Sequence, residues 1–259
     1  MLAPTARSRL KPEREKISAV FEQFLSIAEA DRASQAFRKL QRHDIRTWVL
    51  TGGFAVEIHR LRLGCEPSIR VLNDLDFVVS SFDCIAETLT CDFLCRHVHP
   101  FDPPGKMLAQ FIDADNRLRI DIFRAHGAML SRTMRVQLPF GIIQVISPED
   151  LTARLARIVL QITQGIPVAS KYAYDLVRLL EVLNPAQVEP AWLDHRRPKC
   201  SINFQHACHL VLELIKVRPQ LLVNPEYSKR TDEECVRCVP KGRFQLVDPE
   251  KMVSIMGYC

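Results

Sequence analysis

Apolar residues recur along this chain at two different periods, and the places where one period gives way to the other predict its elements. Between Glu13 and Arg42, residues Ile17, Val20, Phe21, Phe24, Leu25, Ala28, Phe37 and Leu40 fall at helical spacing. The pattern is interrupted near Asp31 to Ser34, which predicts two helices covering one face of a sheet. Met1 to Pro12, ahead of them, is polar and basic and reads as a loose arm. Ile45 to Leu50 is predicted as a first strand, and Gly53 to Leu63 as the helix after it. Ser81-Phe82-Asp83 is placed to cap a helix through about Leu89, with a further short element over Asp92 to Val98. Met107 to Asp113 and Leu118 to Phe123 predict a hairpin around Asp115-Asn116, followed by strands at Met134 to Leu138 and Gly141 to Ile146. Ser147-Pro148-Glu149-Asp150 then combines a Ser cap, Pro at the first helical position and acids in the first turn. That helix is expected to run to about Gln164, where Gly165-Ile166-Pro167 breaks it. Ser170 to Leu183 and Ser201 to Val217 are two more helices, and from Pro219 onward the chain is Pro-rich and polar.

Two strands in this pattern carry acids where strands rarely carry them. In Leu72 to Val79, LNDLDFVV, the apolar Leu75, Phe77 and Val79 alternate with Asp74 and Asp76, so both carboxylates point to one face. Asp is a poor strand former, and a pair at i and i+2 calls for a reason such as a bound cation. The two Cα atoms lie roughly 7 Å apart at about 3.3 Å rise per residue, which lets short side chains converge on metal ions about 3.5–4 Å apart. In Leu118 to Phe123, LRIDIF, the same alternation sets Asp121 and Arg119 opposite Leu118, Ile120 and Ile122. If the strands are neighbours, three carboxylates meet. Two unit charges 4 Å apart repel by about 4 kcal/mol at an effective dielectric near 20, so the cluster requires a cation or a protonated acid. An all-carboxylate set favours Mg²⁺ or Mn²⁺ over zinc.

A strand, the Thr51-Gly52-Gly53 turn and a helix precede these acids. Backbone N–H groups at such a helix start can approach a phosphate closely, because Gly52 and Gly53 carry no side chains. Lys171 and Asp175 stand at i and i+4 in a later helix, and by themselves read as a surface ion pair worth a few tenths of a kcal/mol. His97 to Lys106 is a loop by its Pro and Gly content. Its two imidazoles, Asp102 and Lys106 suit either a ligand contact or an exposed polar turn.

Composition narrows the classes. A chain of 259 residues, 47% hydrophobic, can bury a sizeable core as one large unit or two small ones. No apolar run reaches the length of a membrane span and Met1 to Pro12 lacks an apolar signal core, so the expected location is cytoplasmic. Nine cysteines at irregular spacing fit reduced thiols better than a disulfide framework. Cys235-Val236-Arg237-Cys238 is half of a zinc knuckle without a second pair at a convincing spacing. A formal net charge of +5 is compatible with an anionic substrate such as an NTP or RNA.

Gly52-Gly53, then Asp74-Leu75-Asp76, then Asp121 in an apolar strand resemble the signature of the DNA polymerase β-type nucleotidyltransferase superfamily. Within it the chain is most similar to the minimal AbiEii-like (abortive-infection, type IV toxin) nucleotidyltransferases. Ser147-Pro148-Glu149-Asp150-Leu151 resembles that group's helix start, and Lys171-Tyr172-Ala173-Tyr174-Asp175-Leu176 its Lys-x-x-x-Asp helix. The resemblance spans roughly Thr47 to Leu180. The gap from Gly53 to Asp74 is longer than usual for the group, with Gly64 to Ile69 reading as an inserted loop.

What the resemblance implies is concrete. The fold is α/β (α+β), a small mixed sheet with N-terminal helices and a C-terminal helical segment, divided as 1–45, a core over 46–146, and 147–259. The activity is transfer of an NMP from an NTP, ATP among the candidates, to a hydroxyl of RNA or tRNA, a protein or a small molecule. Asp74, Asp76 and Asp121 are the catalytic acids and the ligands of Mg²⁺ or Mn²⁺. Gly52 and Gly53 face the phosphates, and Lys171 adds charge beside them. Two other classes stand beside this one: a non-catalytic nucleotide-binding scaffold, against which the presence of all three acids argues, and an interaction protein whose helical segment meets an antitoxin-like partner.

Overall fold

The computed structural model describes residues 21–99, 108–138, 141–166, 168, 171–197 and 202–223. Its first complete helix, α1 (Ile27–Leu40), opens on Ser26, whose hydroxyl accepts from Glu29 N at 3.4 Å and donates to Glu29 Oε2 at 3.0 Å. This reciprocal cap sets the start, so the expected break near Asp31 to Ser34 falls earlier, between Phe21 and Ser26. The polar residues that suggested the break find partners both across the fold and within the helix. Arg32 donates to Asn116 O at 2.7 Å, and Ser34 donates back to Ala30 O at 2.7 Å.

The described strands form one mixed sheet. In chain order they are β1 (Val49–Thr51), β2 (Asp74–Val79), β3 (Leu94–His99), β4 (Leu108–Asp113), β5 (Leu118–Arg124), β6 (Met134–Leu138) and β7 (Gly141–Val145). Their spatial order is β3-β4-β5-β2-β1-β7-β6. β2 runs antiparallel to β1 and parallel to β5, and β1 runs parallel to β7. The hairpins β4–β5 and β6–β7 fall where the alternation places them. Two local expectations are corrected, and a third is given its type. β1 is shorter than Ile45 to Leu50, because Trp48 N bonds Ile45 O at 3.0 Å in a turn. Ser81 to Leu89 forms two 3-10 turns, Phe82–Cys84 and Glu87–Cys91, in place of a helix. The short element after Asp92 is strand β3.

Helices close both faces. α1 lies over the face that Leu75, Phe77 and Val79 present, with Phe37 6.2 Å from Phe77 and edge-on to it. Phe54, from α2 (Gly52–Arg62), meets Phe21 and Phe24 edge-on at 5.0 Å each. On the acid-bearing side stand α3 (Pro148–Val159), α4 (Lys171–Leu180), α5 (Pro185–His195) and α6 (Phe204–Val217), with α3 packed against the other three. Ser147 caps α3 by accepting from Asp150 N at 3.0 Å, and after a 3-10 turn Gly165 ends it at φ 71. α5 has no counterpart in the sequence pattern. Pro190 inside it reads as a breaker, yet Val188, Ala191, Trp192 and His195 form its buried stripe. No helix among the described residues is long and apolar enough to cross a membrane. Of the expected loop over His97 to Lys106, His97 to His99 instead belong to β3, and residues 100–106 lie outside the described residues, as do Met1 to Pro12, Cys235, Cys238 and the tail from position 224 onward.

Candidate active site

Register brings the acids together. Thr51 pairs with Asp76, and Asp76 pairs with Asp121, so residues from β1, β2 and β5 stand in one row across the sheet. Neighbouring strands lie about 4.8 Å apart, and residues paired across them share a face. Asp74 stands two residues before Asp76 on that face, beside Arg119 of β5. One oxygen from each of Asp74, Asp76 and Asp121 lies within 4.8 Å of the others. The expected convergence of the three carboxylates is present.

The cluster also holds a cation of its own. Arg119 donates from Nη2 to Asp74 in a short contact and from Nε to Asp121 Oδ2 at 3.1 Å. Burial alone would lower the Arg119 pKa, but the carboxylates of Asp121, Asp74 and Asp76 raise it instead. Gln110 on β4 donates to Asp121 Oδ1 at 3.2 Å. Even so, burial first and the neighbouring Asp74 second push Asp76 up to about 6. Burial, opposed by Arg119 and reinforced by Asp74 and Asp76, pushes Asp121 up to about 8. One guanidinium does not neutralise three carboxylates in this space. A hard cation suits such a donor set, since it would favour the ionised form of every member.

A cavity of about 130 Å³ stands above the row. Gly52 and Gly53 at the start of α2, Arg154 from α3, and Lys171 and Tyr172 from α4 line it together with the acids. Both glycines are required by their neighbours. Gly52 sits at φ 70, and a Cβ there would overlap Oδ2 of Asp76; a Cβ on Gly53 would overlap the guanidinium of Arg70. Thr51 makes no side-chain cap hydrogen bond, which leaves the first N–H groups of α2 without a side-chain acceptor from that position.

Lys171 and Asp175 do not form the surface pair that their spacing suggested. Asp175 is buried and takes both Arg70 Nη1 at 2.8 Å and Nη2 at 2.9 Å, while Lys171 lines the cavity and helps hold down the Asp76 pKa. The long segment between α2 and β2 supplies that arginine. Arg70 also donates to Glu57 Oε1 at 2.7 Å, and the Ser68 amide donates to Glu57 Oε2 at 2.9 Å. Arg70, Arg119, Arg154 and Tyr172 were not anticipated as site residues. Only Arg119 had a sequence signal, its place on the same strand face as Asp121.

A scan against models of protein families finds none that matches, and a search of curated proteins finds no match. Among solved structures, the chain is similar to an antigenic nucleotidyltransferase-like protein from Paracoccidioides brasiliensis, at 14% identity and a TM-score of 0.39, covering 80% of this chain and 90% of that one.

Proposed function

We propose that this protein is a metal-dependent nucleotidyltransferase of the polymerase β type, with 46–146 as its core. It moves a nucleoside monophosphate from an NTP to an acceptor hydroxyl and releases pyrophosphate. The observation that carries this reading is the row of carboxylates, three acids from two parallel strands on one face, beneath a cavity walled by a helix start and by Arg154 and Lys171. Asp74, Asp76 and Asp121 would hold Mg²⁺ or Mn²⁺, which when bound supplies charge neutralisation at the triphosphate and a lowered pKa for the attacking hydroxyl. Backbone N–H groups at Gly52 and Gly53 receive phosphate oxygens, aided by the positive end of α2. Lys171 adds charge on the same side. Arg119 holds Asp74 and Asp121 in orientation through its paired hydrogen bonds. ATP is one candidate donor, and RNA or tRNA, a protein and a small molecule are candidate acceptors. Kinship with the AbiEii-like group, an antitoxin-like partner and a cytoplasmic location belong to the same proposal.

The test is incubation with each labelled NTP and Mg²⁺ in the presence of total RNA or cell extract. Labelling of an acceptor by wild type, abolished in Asp121→Asn with NTP binding largely retained, is the expected result. Arg119 favours one rival, a nucleotide-binding scaffold without catalysis, because an internal guanidinium partly balances the acids without a metal. In that case NTP binds, no acceptor is labelled, and Mg²⁺ leaves the melting temperature unchanged.

A further inference from the structure

A second cavity, of about 330 Å³, shares no lining residue with the one above the acids among the described residues. It exists because β1 starts late. The ladder between β1 and β7 begins only at Val49 and Gln144, so Gly141, Ile142 and Ile143 have no strand beside them on that side among the described residues. The chain that could have paired there turns away, with Trp48 N bonded to Ile45 O at 3.0 Å. Two side-chain bonds pin the gap open. Gln144 Nε2 donates to Arg46 O at 3.1 Å, and Trp48 Nε1 donates to Cys84 O at 3.1 Å. The cavity is thus held by the fold's own hydrogen bonds.

Its body is apolar and its mouth is cationic. Phe37, Trp48 and Phe77 form a buried floor, with Trp48 edge-on to Phe77 at 5.4 Å. Ile45 and Ile143 stand half-buried beside it, and Ile142 is 63% exposed. Most polar side chains of the wall are already engaged. Trp48 and Gln144 bond the backbone as above, and the His43 ring bonds Thr88 Oγ1 and Asp92 Oδ2 at 3.0 Å each. Arg46 is matched by Asp44, through bonds of 2.8 Å from both Nε and Nη2. Arg135 differs. It is exposed on β6, lines the cavity, and makes no side-chain hydrogen bond or ion pair among the described residues. No carboxylate among the described residues lines the space. Small-molecule sites are clefts from about 300 Å³ upward, mostly apolar, with a few placed polar groups that orient the ligand. An unbalanced guanidinium at the mouth selects an anion, and aromatic rings in the floor favour a flat body.

We propose that this cavity binds a small organic anion with a flat, largely apolar body. The charged group meets Arg135, and the body lies against Ile45, Ile142 and Ile143. The site does not depend on the nucleotidyltransferase reading, since it uses none of the residues assigned to the NTP. A triphosphate suits it poorly, because Arg135 is a single unmatched cation in an otherwise apolar or internally bonded wall.

Fluorescence titration of the full chain with 8-anilinonaphthalene-1-sulfonate, and with its uncharged counterpart N-phenyl-1-naphthylamine, tests the site. Wild type is expected to bind the sulfonate saturably, and ATP with Mg²⁺ should not displace it. Arg135→Gln should weaken the sulfonate about five-fold or more and leave the amine unchanged, because only the charged contact is lost. Ile142→Glu, at an exposed position, should weaken both dyes, the sulfonate more than the amine. Should that variant not fold, Arg135→Gln alone still decides. No saturable binding to wild type, or equal binding to wild type and Arg135→Gln, would overturn the site. An equal loss of both dyes in Arg135→Gln would overturn the anion preference, and displacement by ATP with Mg²⁺ would place the dye above the acids instead. Failure of NTP labelling with the dye results intact would remove the transfer reading and leave this site standing.

Discussion

Gly52 shows how closely the site is built around single atoms. Its backbone is left-handed and its Cα lies against the Asp76 carboxylate. Gly52→Ala is therefore expected to cost at least about 1–2 kcal/mol from the backbone alone, with further loss as Asp76 is displaced; urea unfolding measures the first effect and loss of Mg²⁺-dependent stabilisation the second. Lys171 is a different case, because it lines the cavity without an ion pair to Asp175. Its charge would face the NTP phosphates in the ground state as well as the transition state. Lys171→Ala should then raise KM more than it lowers kcat, with little change in Tm. An unchanged KM on the same preparation would remove Lys171 from the site.

The elements around the site are tied by buried charge as well as by apolar packing. Glu57 on α2, Arg70 before β2, and Asp175 and Arg178 on α4 form one network, in which Arg178 Nη1 lies 3.2 Å from Glu57 Oε1. The network fixes the angle at which α4 brings Lys171 to the cavity. Arg70→Ala would strand the buried Asp175 carboxylate and leave Glu57 to Arg178 and the Ser68 amide, so a loss of about 3–5 kcal/mol is expected in denaturant unfolding. Any folded fraction should also show weakened NTP binding, because α4 loses its anchor. A second network holds α5. Asp150 accepts from Arg132 Nε at 2.8 Å, from His195 Nε2 at 2.9 Å and from Ser147 Oγ at 2.7 Å. Although burial opposes it, these bonds draw the Asp150 pKa down to about 2.

Across the whole molecule, two sets of titrating groups act in opposite directions. Buried His59, which bonds Ile146 O at 2.7 Å, and His126 are both lowered to about 4 from 6.5, chiefly by burial. Below pH 6.5 the unfolded chain binds protons that these rings refuse, so their contribution is lost as pH falls toward 4. Asp76 and Asp121, at about 6 and about 8 against 3.8, do the reverse. Between about pH 4 and pH 8 the folded chain holds protons that the unfolded chain has released, so without metal their contribution to stability falls as pH rises. Mg²⁺ should abolish that second slope by favouring the ionised carboxylates. The Tm gain with Mg²⁺ is thus expected to be larger at pH 8 than at pH 5.5, and to be mostly absent in Asp76→Asn. An equal gain in wild type and variant would mean that the metal binds elsewhere.

Local pattern alone determined which residues could meet. Alternation in LNDLDFVV and LRIDIF put Asp74, Asp76 and Asp121 on defined strand faces, and the Ser147 cap and Gly165 stop bounded a helix, because periods of 2 and 3.6 and the chemistry of helix ends are properties of a few consecutive residues. The glycine pair was legible for the same reason. What the chain does with its long side chains was decided only by tertiary structure. Arg70 reaching Asp175 across 105 positions, Arg119 bridging Asp74 and Asp121, and Arg157 left without an acceptor depend on which surfaces pack together. The same holds for α5, where Trp192 and His195 find buried partners that offset a proline no local rule would place inside a helix. Spacing within an element is set by covalent geometry, whereas the partner of a charge is set by the distance between elements that only the folded chain brings together.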